Sequence, residues 1–443
     1  MTELHALRAY SGNTLVGVLT YDSIEDQFGF EYDDNWRKNP RAFPLSPHLP
    51  LQKLSNQSMG SGAIKRFLEN LLPEGKAREI AATTYQISKA NLYALLCHLG
   101  RETTGAISLL PEATEPQQQP ITKRKIPLEE LHQRIQERKQ YSFSVWDGRV
   151  PASIAGYQDK LPLFVEGEAL ADGLCLMDGQ LASTHILKPE PGEGRLKCLV
   201  ANEHFCMKLA AAVKLPVAAV SILRTPLVLL AVERFDRVRT TESVRKVHII
   251  DGCQALDLPV THKYERNLGS GPEVSHIRDG VSFEKLFALA RNSANKAFTE
   301  WHLMRWALFQ YLIGNGDGHG KNVSFFCHAN GLDLAPFYDL VSIVPYTDAD
   351  YEPPMGIGDE FSLRELSSSA WTEFARLCGI DRRLLASEMK EFSKLASREA
   401  SKLATDIVYV DDERPIVASI ASFVAKQGER LSAAAVDVLK GAK

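Results

Sequence analysis

The sequence predicts an α+β fold: a small mixed α/β module, then a β-rich lobe, then a largely helical lobe. Three observations carry this reading. Apolar runs of strand length, such as residues 161–165 and 227–232, concentrate between residues 128 and 240. From Phe283 onward the apolar residues recur at helical spacing, most densely over 298–313. Residues 111–120 contain three prolines, three glutamines and no large apolar side chain, the composition of a linker.

Taken in order, residues 5–32 alternate apolar and polar positions, with the run Leu15-Val16-Gly17-Val18-Leu19 followed by Phe28-Gly29-Phe30, and predict a β-rich start. Ile64, Phe67, Leu68, Leu71 and Leu72 share one helical face, and Leu92, Leu95 and Leu96 repeat the pattern. Residues 1–110 therefore form an N-terminal module, and 111–127 a linker. A charged helix over 128–139 opens the second region, 128–240, with strands expected at 161–165, 185–188, 217–223 and 227–232 and a helix at 201–213. Residues 241–443 make the helical lobe, in which Ile416, Ile420, Phe423 and Val424 mark a late helix.

At 443 residues, 44% hydrophobic and 24% charged, the chain has the make-up of a multidomain globular protein. Its apolar runs fall far short of the roughly 20 residues that span a bilayer, and Met1-Thr2-Glu3-Leu4-His5 lacks the basic start and apolar stretch of a signal peptide. The expected location is the cytoplasm, with no membrane partner. Seven scattered cysteines form no Cys-x-x-Cys pair and are expected to be reduced. A net charge of −4 argues against coating nucleic acid unaided.

The chemistry concentrates in Asn315-Gly316-Asp317-Gly318-His319-Gly320-Lys321-Asn322 and Phe337-Tyr338-Asp339. Phosphoryl transfer to a hydroxyl needs a carboxylate beside the attacking oxygen, an amide oxygen for Mg²⁺ five residues on, and a second metal-binding carboxylate after a short hairpin. Asp317, Asn322 and Asp339 stand in that order. The glycines at 314, 316, 318 and 320 permit positive φ and close backbone approach, and strands are expected at 323–326 and 332–337. His319 is either a metal ligand or second base, or a packed imidazole on a backbone carbonyl. Lys321 either balances phosphate charge or is a solvated turn residue.

Upstream, Lys188 ends a strand where a phosphate-holding lysine is needed, and Glu203 on the next helix is a candidate ion-pair partner for it. The segment Ser153-Ile154-Ala155-Gly156-Tyr157-Gln158-Asp159 precedes a strand, as a phosphate-covering loop would, but has a single glycine. Glu233-Arg234-Phe235 ends the most apolar strand and is a candidate hinge whose backbone binds adenine. Together these pieces predict a two-lobed protein-kinase-like fold.

These motifs, in this order, resemble the HipA family of serine/threonine kinase toxins from bacterial toxin–antitoxin modules. Further similar pieces are Pro44-Leu45-Ser46-Pro47-His48-Leu49-Pro50-Leu51, Glu69-Asn70-Leu71-Leu72-Pro73 and Leu99-Gly100-Arg101. The resemblance implies ATP with Mg²⁺ as cofactors and a protein hydroxyl as acceptor, with Asp317 as proton acceptor. It implies nucleotide contacts at Ile154, Ala155, Gly156, Tyr157, Gln158, Asp159, Lys188, Glu233, Arg234, Phe235, His319, Gly320, Lys321, Asn322, Tyr338 and Asp339, and metal contacts at Asn322 and Asp339. Ser153 matches the family's autophosphorylated serine; a phosphate there, of about −1.5 to −2 charge, would repel the nucleotide phosphates. Tyr157 stands where the family commonly has a small residue.

The family is usually encoded beside a HipB-like helix-turn-helix antitoxin that binds operator DNA, so DNA association is expected mainly through that partner. The implied substrate is a translation protein such as glutamyl-tRNA synthetase or another aminoacyl-tRNA synthetase, whose inhibition promotes persistence. Two other classes fit the same loop. A small-molecule or phosphoinositide-type kinase shares the Asp-x-His-x-x-Asn pattern, and an inactive kinase-shaped co-regulator would act only through antitoxin and DNA.

Overall fold

The computed structural model describes residues 4–52, 60–118, 121–153, 158–167, 169–179, 181–192, 196–240, 243–346, 352–364 and 366–440. Its α+β chain divides into two compact units, one formed by Met1–Pro189, Leu223–Ile250 and Phe325–Gly331, the other by Glu190–Ile222, Asp251–Ser324 and Leu332–Lys443.

In the first unit, the N-terminal strands Leu4–Ser11, Thr14–Asp22 and Gln27–Tyr32 are joined in antiparallel order by Ile107–Pro111, which returns to the free side of the first strand. The turn at Gly12 requires φ +58°, a value glycine adopts at little cost. The alternation seen in the sequence puts Leu7, Ala9, Val16 and Leu19 inside. Helices Ser61–Leu71 and Leu92–Leu99 bury Ile64, Phe67, Leu68, Leu71, Leu95 and Leu96, the faces their spacing predicts.

A second, six-stranded sheet runs in the order Ile121–Lys125, Leu174–Gly179, Leu161–Val165, His185–Pro189, Val228–Glu233, Val220–Arg224, the first five strands pairing antiparallel. Its inner residues Leu161, Leu163, Val165, Leu174, Leu187, Leu229 and Ala231 share a core with Phe143, Trp146 and the helix Leu128–Gln136. Strand Ile121–Lys125 lies within the span expected to be a linker.

The second unit is mostly helical. Its centre is Lys296–Ile313, where Leu303, Met304, Trp306, Ala307, Leu308, Phe309, Leu312 and Ile313 are all at most 1% exposed. A helix apolar on nearly every side belongs in a core. It starts at the Asn295 cap, whose side chain accepts from the Phe298 N–H, and ends at Gly314 in the left-handed conformation (φ +62°). Helices Arg382–Leu403 and Glu413–Lys440 pack on each other and on this one. Of the late apolar repeat, Ile420 and Val424 are buried and Ile416 and Phe423 half-buried.

Candidate active site

Because the buried helix stops at Gly314, the chain turns directly into the Asp317 loop. Two amide side chains then fix the backbone of that loop. Asn315 accepts the Asp317 N–H at 2.8 Å, and the Asn322 amide nitrogen donates to the Asp317 carbonyl at 2.9 Å. With its nitrogen so engaged, Asn322 presents its amide oxygen as the remaining ligand atom. The Asp317 carboxylate itself is 65% exposed and so open to an external group.

The glycines of the loop act mainly through space. Among the four, positive φ occurs at Gly314 alone. A Cβ at Gly316 would come within 2.6 Å of Ile343, one at Gly318 within 2.8 Å of Gln310, and one at Gly320 within 2.4 Å of Val281. The expectation of positive φ along the whole loop is thus replaced by close packing at three of its positions.

His319 and Lys321 point inward. His319 is 7% exposed, edge-on to Tyr264 at a 5.2 Å centroid distance, and its Nδ1 is buried with no hydrogen-bond partner among the described residues. Burial, with help from Lys263 and Lys321, pushes its pKa down to about 3, so the imidazole is neutral near pH 7. Lys321 is 5% exposed, which removes the solvated-turn reading. Its ammonium contacts the Asp251 carboxylate at 2.5 Å, and Asp251 also caps the short helix Gly252–Ala255.

Tyr338 links this loop to the second carboxylate. Its hydroxyl donates to the Lys321 carbonyl at 2.6 Å and lies 2.8 Å from the Ser324 hydroxyl. Phe337, fully buried, stacks on Trp306 at 5.4 Å and exchanges backbone bonds with Pro216 and Ala218. Asp339 then takes φ +56°, a left-handed conformation that aspartate adopts more readily than most non-glycine residues. The second unit therefore brings together Asp317, His319, Gly320, Lys321, Asn322, Tyr338 and Asp339.

In the first unit, Lys188 is 3% exposed on strand His185–Pro189, in register with Leu230. Glu233 is exposed, Phe235 half-buried, and Arg234 buried. The Arg234 guanidinium takes Asp236 through both carboxylate oxygens (3.0 and 2.8 Å), reaches Ser183 at 2.8 Å and Glu102 at 3.4 Å. Its backbone N–H is held by the Thr184 carbonyl. Burial would raise the Glu102 pKa, but Lys246, Arg237 and Arg234 overcome it and hold the carboxylate well below its usual range.

Ser153 is 0% exposed; its N–H donates to the Glu102 carbonyl at 2.8 Å and its hydroxyl to the Leu71 carbonyl at 2.5 Å. Gln158 and Asp159 are half-buried. Ile154, Ala155, Gly156 and Tyr157 lie outside the described residues. Sequence reasoning missed Tyr264, Asp251 and Glu102. Of these, Asp251 alone carried a local signal, as the start of an Asp-x-x-Gln capping box.

Residues 7–110 match the family described as the HipA N-terminal domain, and 152–400 the one described as the HipA-like C-terminal domain. The chain is 37% identical over 431 residues to the serine/threonine-protein kinase toxin HipA of Shewanella oneidensis, covering 96% of this chain and 94% of that one. It is 32% identical over 428 residues to Y4mE of Sinorhizobium fredii, covering 93% and 95%. Among solved structures, the Shewanella oneidensis complex of HipA, HipB and operator DNA matches with a TM-score of 0.85 and 35% identity, over 96% of this chain and 97% of that one.

Proposed function

This chain belongs to the HipA family and is a serine/threonine protein kinase; on that premise we propose that it is an ATP- and Mg²⁺-dependent toxin kinase that inactivates itself by autophosphorylation. The observation that carries the reading is the Asp317–Asn322 loop, in which an exposed carboxylate sits on a backbone pinned by two amides. Asp317 accepts the proton of the acceptor hydroxyl as that oxygen bonds to the terminal phosphorus and ADP leaves.

Asn322 and Asp339 are hard oxygen donors of the kind Mg²⁺ takes, one neutral and one charged, and the turned amide of Asn322 supports that fit. Bound there, the ion would neutralise charge on the transferring phosphate. Lys188 and residues 154–159 hold the nucleotide phosphates, and the base is met by the backbone of Glu233 and Phe235, that of Arg234 being engaged with Thr184 and Arg237.

Ser153 is the autophosphorylation site. Its hydroxyl is occupied with the Leu71 carbonyl, which supports a reading in which Ser153 must leave this position to react. A phosphate between the Leu71 and Glu102 carbonyls would then be repelled from returning. The relative solved with HipB and operator DNA supports a HipB-like antitoxin as partner, with operator DNA reached mainly through it. The protein substrate is a translation-related protein such as an aminoacyl-tRNA synthetase, glutamyl-tRNA synthetase being one candidate, and the site of action is the cytoplasm. Among the described residues no helix is long and apolar enough to cross a membrane.

Incubation of the purified chain and of a lysate with Mg²⁺ and γ-labelled ATP tests this. Labelled phosphoserine or phosphothreonine on protein is expected, with a self-labelled peptide containing Ser153. Label on small molecules alone, or none, overturns the proposal.

A further inference from the structure

The segment 262–281 reaches the kinase loop through one side chain. Tyr264, 37% exposed, points its hydroxyl at the loop and donates to Asp317 Oδ1 at 3.1 Å. We propose that Tyr264 is a positioning residue for the catalytic carboxylate: it holds one oxygen of Asp317 so that the other faces the acceptor hydroxyl. This rests on the reading of Asp317 as the base.

Three features argue that the contact is built rather than incidental. The Asp317 carboxylate is mostly solvent-exposed on a turn flanked by glycines, so its backbone is fixed while its side-chain torsions are lightly packed. The Tyr264 ring, in contrast, is held: His319 meets its edge-on face and the Lys263 ammonium lies 5.3 Å from its centroid. The backbone around it is registered to the catalytic loop by the Gly320 N–H donating to the Lys263 carbonyl at 2.9 Å.

The residue after Tyr264 anchors the segment. Glu265 is 1% exposed; its carboxylate takes the Arg278 guanidinium and accepts the Gly356 N–H at 2.8 Å, while its N–H donates to the Pro354 carbonyl at 2.9 Å. Gly280 crosses so close that a Cβ there would lie 1.8 Å from the Tyr264 carbonyl. The partly buried ion pair of Glu265 with Arg278 thus ties the residue next to Tyr264 into the surrounding fold.

In the reaction the acceptor O–H proton passes to the second oxygen of Asp317, the acceptor oxygen bonds to phosphorus, and the bond to ADP breaks. The phenol keeps its proton throughout. Its role is orientation, so it should affect turnover and leave nucleotide binding alone.

The test is steady-state and single-turnover phosphorylation by the full chain carrying Tyr264→Phe, which keeps the ring against His319, with thermal melting as the check on folding. Expected is a kcat about ten- to a hundredfold lower, as for loss of a hydrogen bond to a charged group, with unchanged KM for MgATP. In an Asp317→Asn background the same substitution should change the rate less than about twofold, because acting through a group that is gone has no effect. An unchanged or higher kcat, a raised KM with kcat intact, or an equal loss in both backgrounds overturns the proposal. Should Tyr264→Phe melt early, the Tyr264→Trp variant, which keeps a ring and a donor, must retain more activity than Tyr264→Leu, and equal activities refute it. If Asp317→Asn alone is fully active, the base assignment has failed, an outcome separate from those above.

Discussion

Replacing Glu102 by Gln should destabilise the first unit sharply. The buried cluster holds three cations, Arg234, Arg237 and Lys246, against two carboxylates, Glu102 and Asp236, a net of +1. Glu102 contacts Lys246 at 2.5 Å, Arg237 at 2.9 Å and Arg234 at 3.4 Å, with its side chain only 6% exposed. Glutamine keeps an oxygen for the two Ser183 bonds but removes the charge, leaving three cations on Asp236 alone, a net of +2. Breaking a buried pair from one side costs about 3–5 kcal/mol, a large share of a typical domain's stability of about 5–15 kcal/mol.

The sign of the pH dependence follows. Because the folded pKa of Glu102 is depressed, its contribution is fully present above the unfolded carboxylate value of about 4.3 and is lost as pH falls below it. Urea unfolding at pH 7, followed by the fluorescence of a variant that keeps Trp36 and Trp146 of that unit and has phenylalanine at the other three tryptophans, should show the loss as a lower midpoint. A change under about 1 kcal/mol at pH 7, or an equal deficit persisting at pH 3, would refute the reasoning.

Three further outcomes are expected. Gly320→Ala drives a Cβ to within 2.4 Å of Val281; overpacking of about 1–3 kcal/mol and a fall in kcat should follow, measured by melting and by kinase assay. Asp251→Asn keeps the helix cap but removes the carboxylate 2.5 Å from the buried Lys321 ammonium; a loss of about 3–5 kcal/mol in denaturant unfolding of the second unit is expected. His248, 3% exposed and stacked on Phe43, has its pKa pushed down to about 4 by burial. The unfolded chain therefore takes up its proton first, and stability worth roughly 3 kcal/mol should be lost as pH falls from about 6.5 to 4. His248→Gln should flatten that slope in a pH series of melting curves.

What was legible in the sequence was what is local. Asp317, Asn322 and Asp339 fall within 23 positions of one another, and one helix end and one hairpin settle where they stand. The half-buried strands and amphipathic helices announced themselves because burial on one face imposes a period. Strand Ile121–Lys125 did not, since its residues are nearly all exposed on the edge of its sheet and leave no alternation to read.

Charge partners were the least legible. Lys321 meets Asp251 from 70 residues away, Tyr264 meets Asp317 from 53, and Arg237 meets Glu102 from 135. Nothing near a lysine in sequence tells whether its ammonium will find water or a distant carboxylate, and for Lys321 that choice separates a surface turn from a buried anchor. The glycines of the loop were recognised as a group, but φ is positive at Gly314 alone; Gly320 is required by the nearness of Val281, while Gly316 and Gly318 meet only the movable ends of Ile343 and Gln310.

The most direct test of the central claim is the single-turnover rate of phosphoryl transfer by Asp317→Asn at saturating Mg²⁺ and ATP, with nucleotide affinity measured alongside. A base on a loop held by Asn315 and Asn322 predicts a rate about 10² to 10⁴ lower with ATP affinity little changed. A rate within threefold of the unsubstituted chain would contradict it.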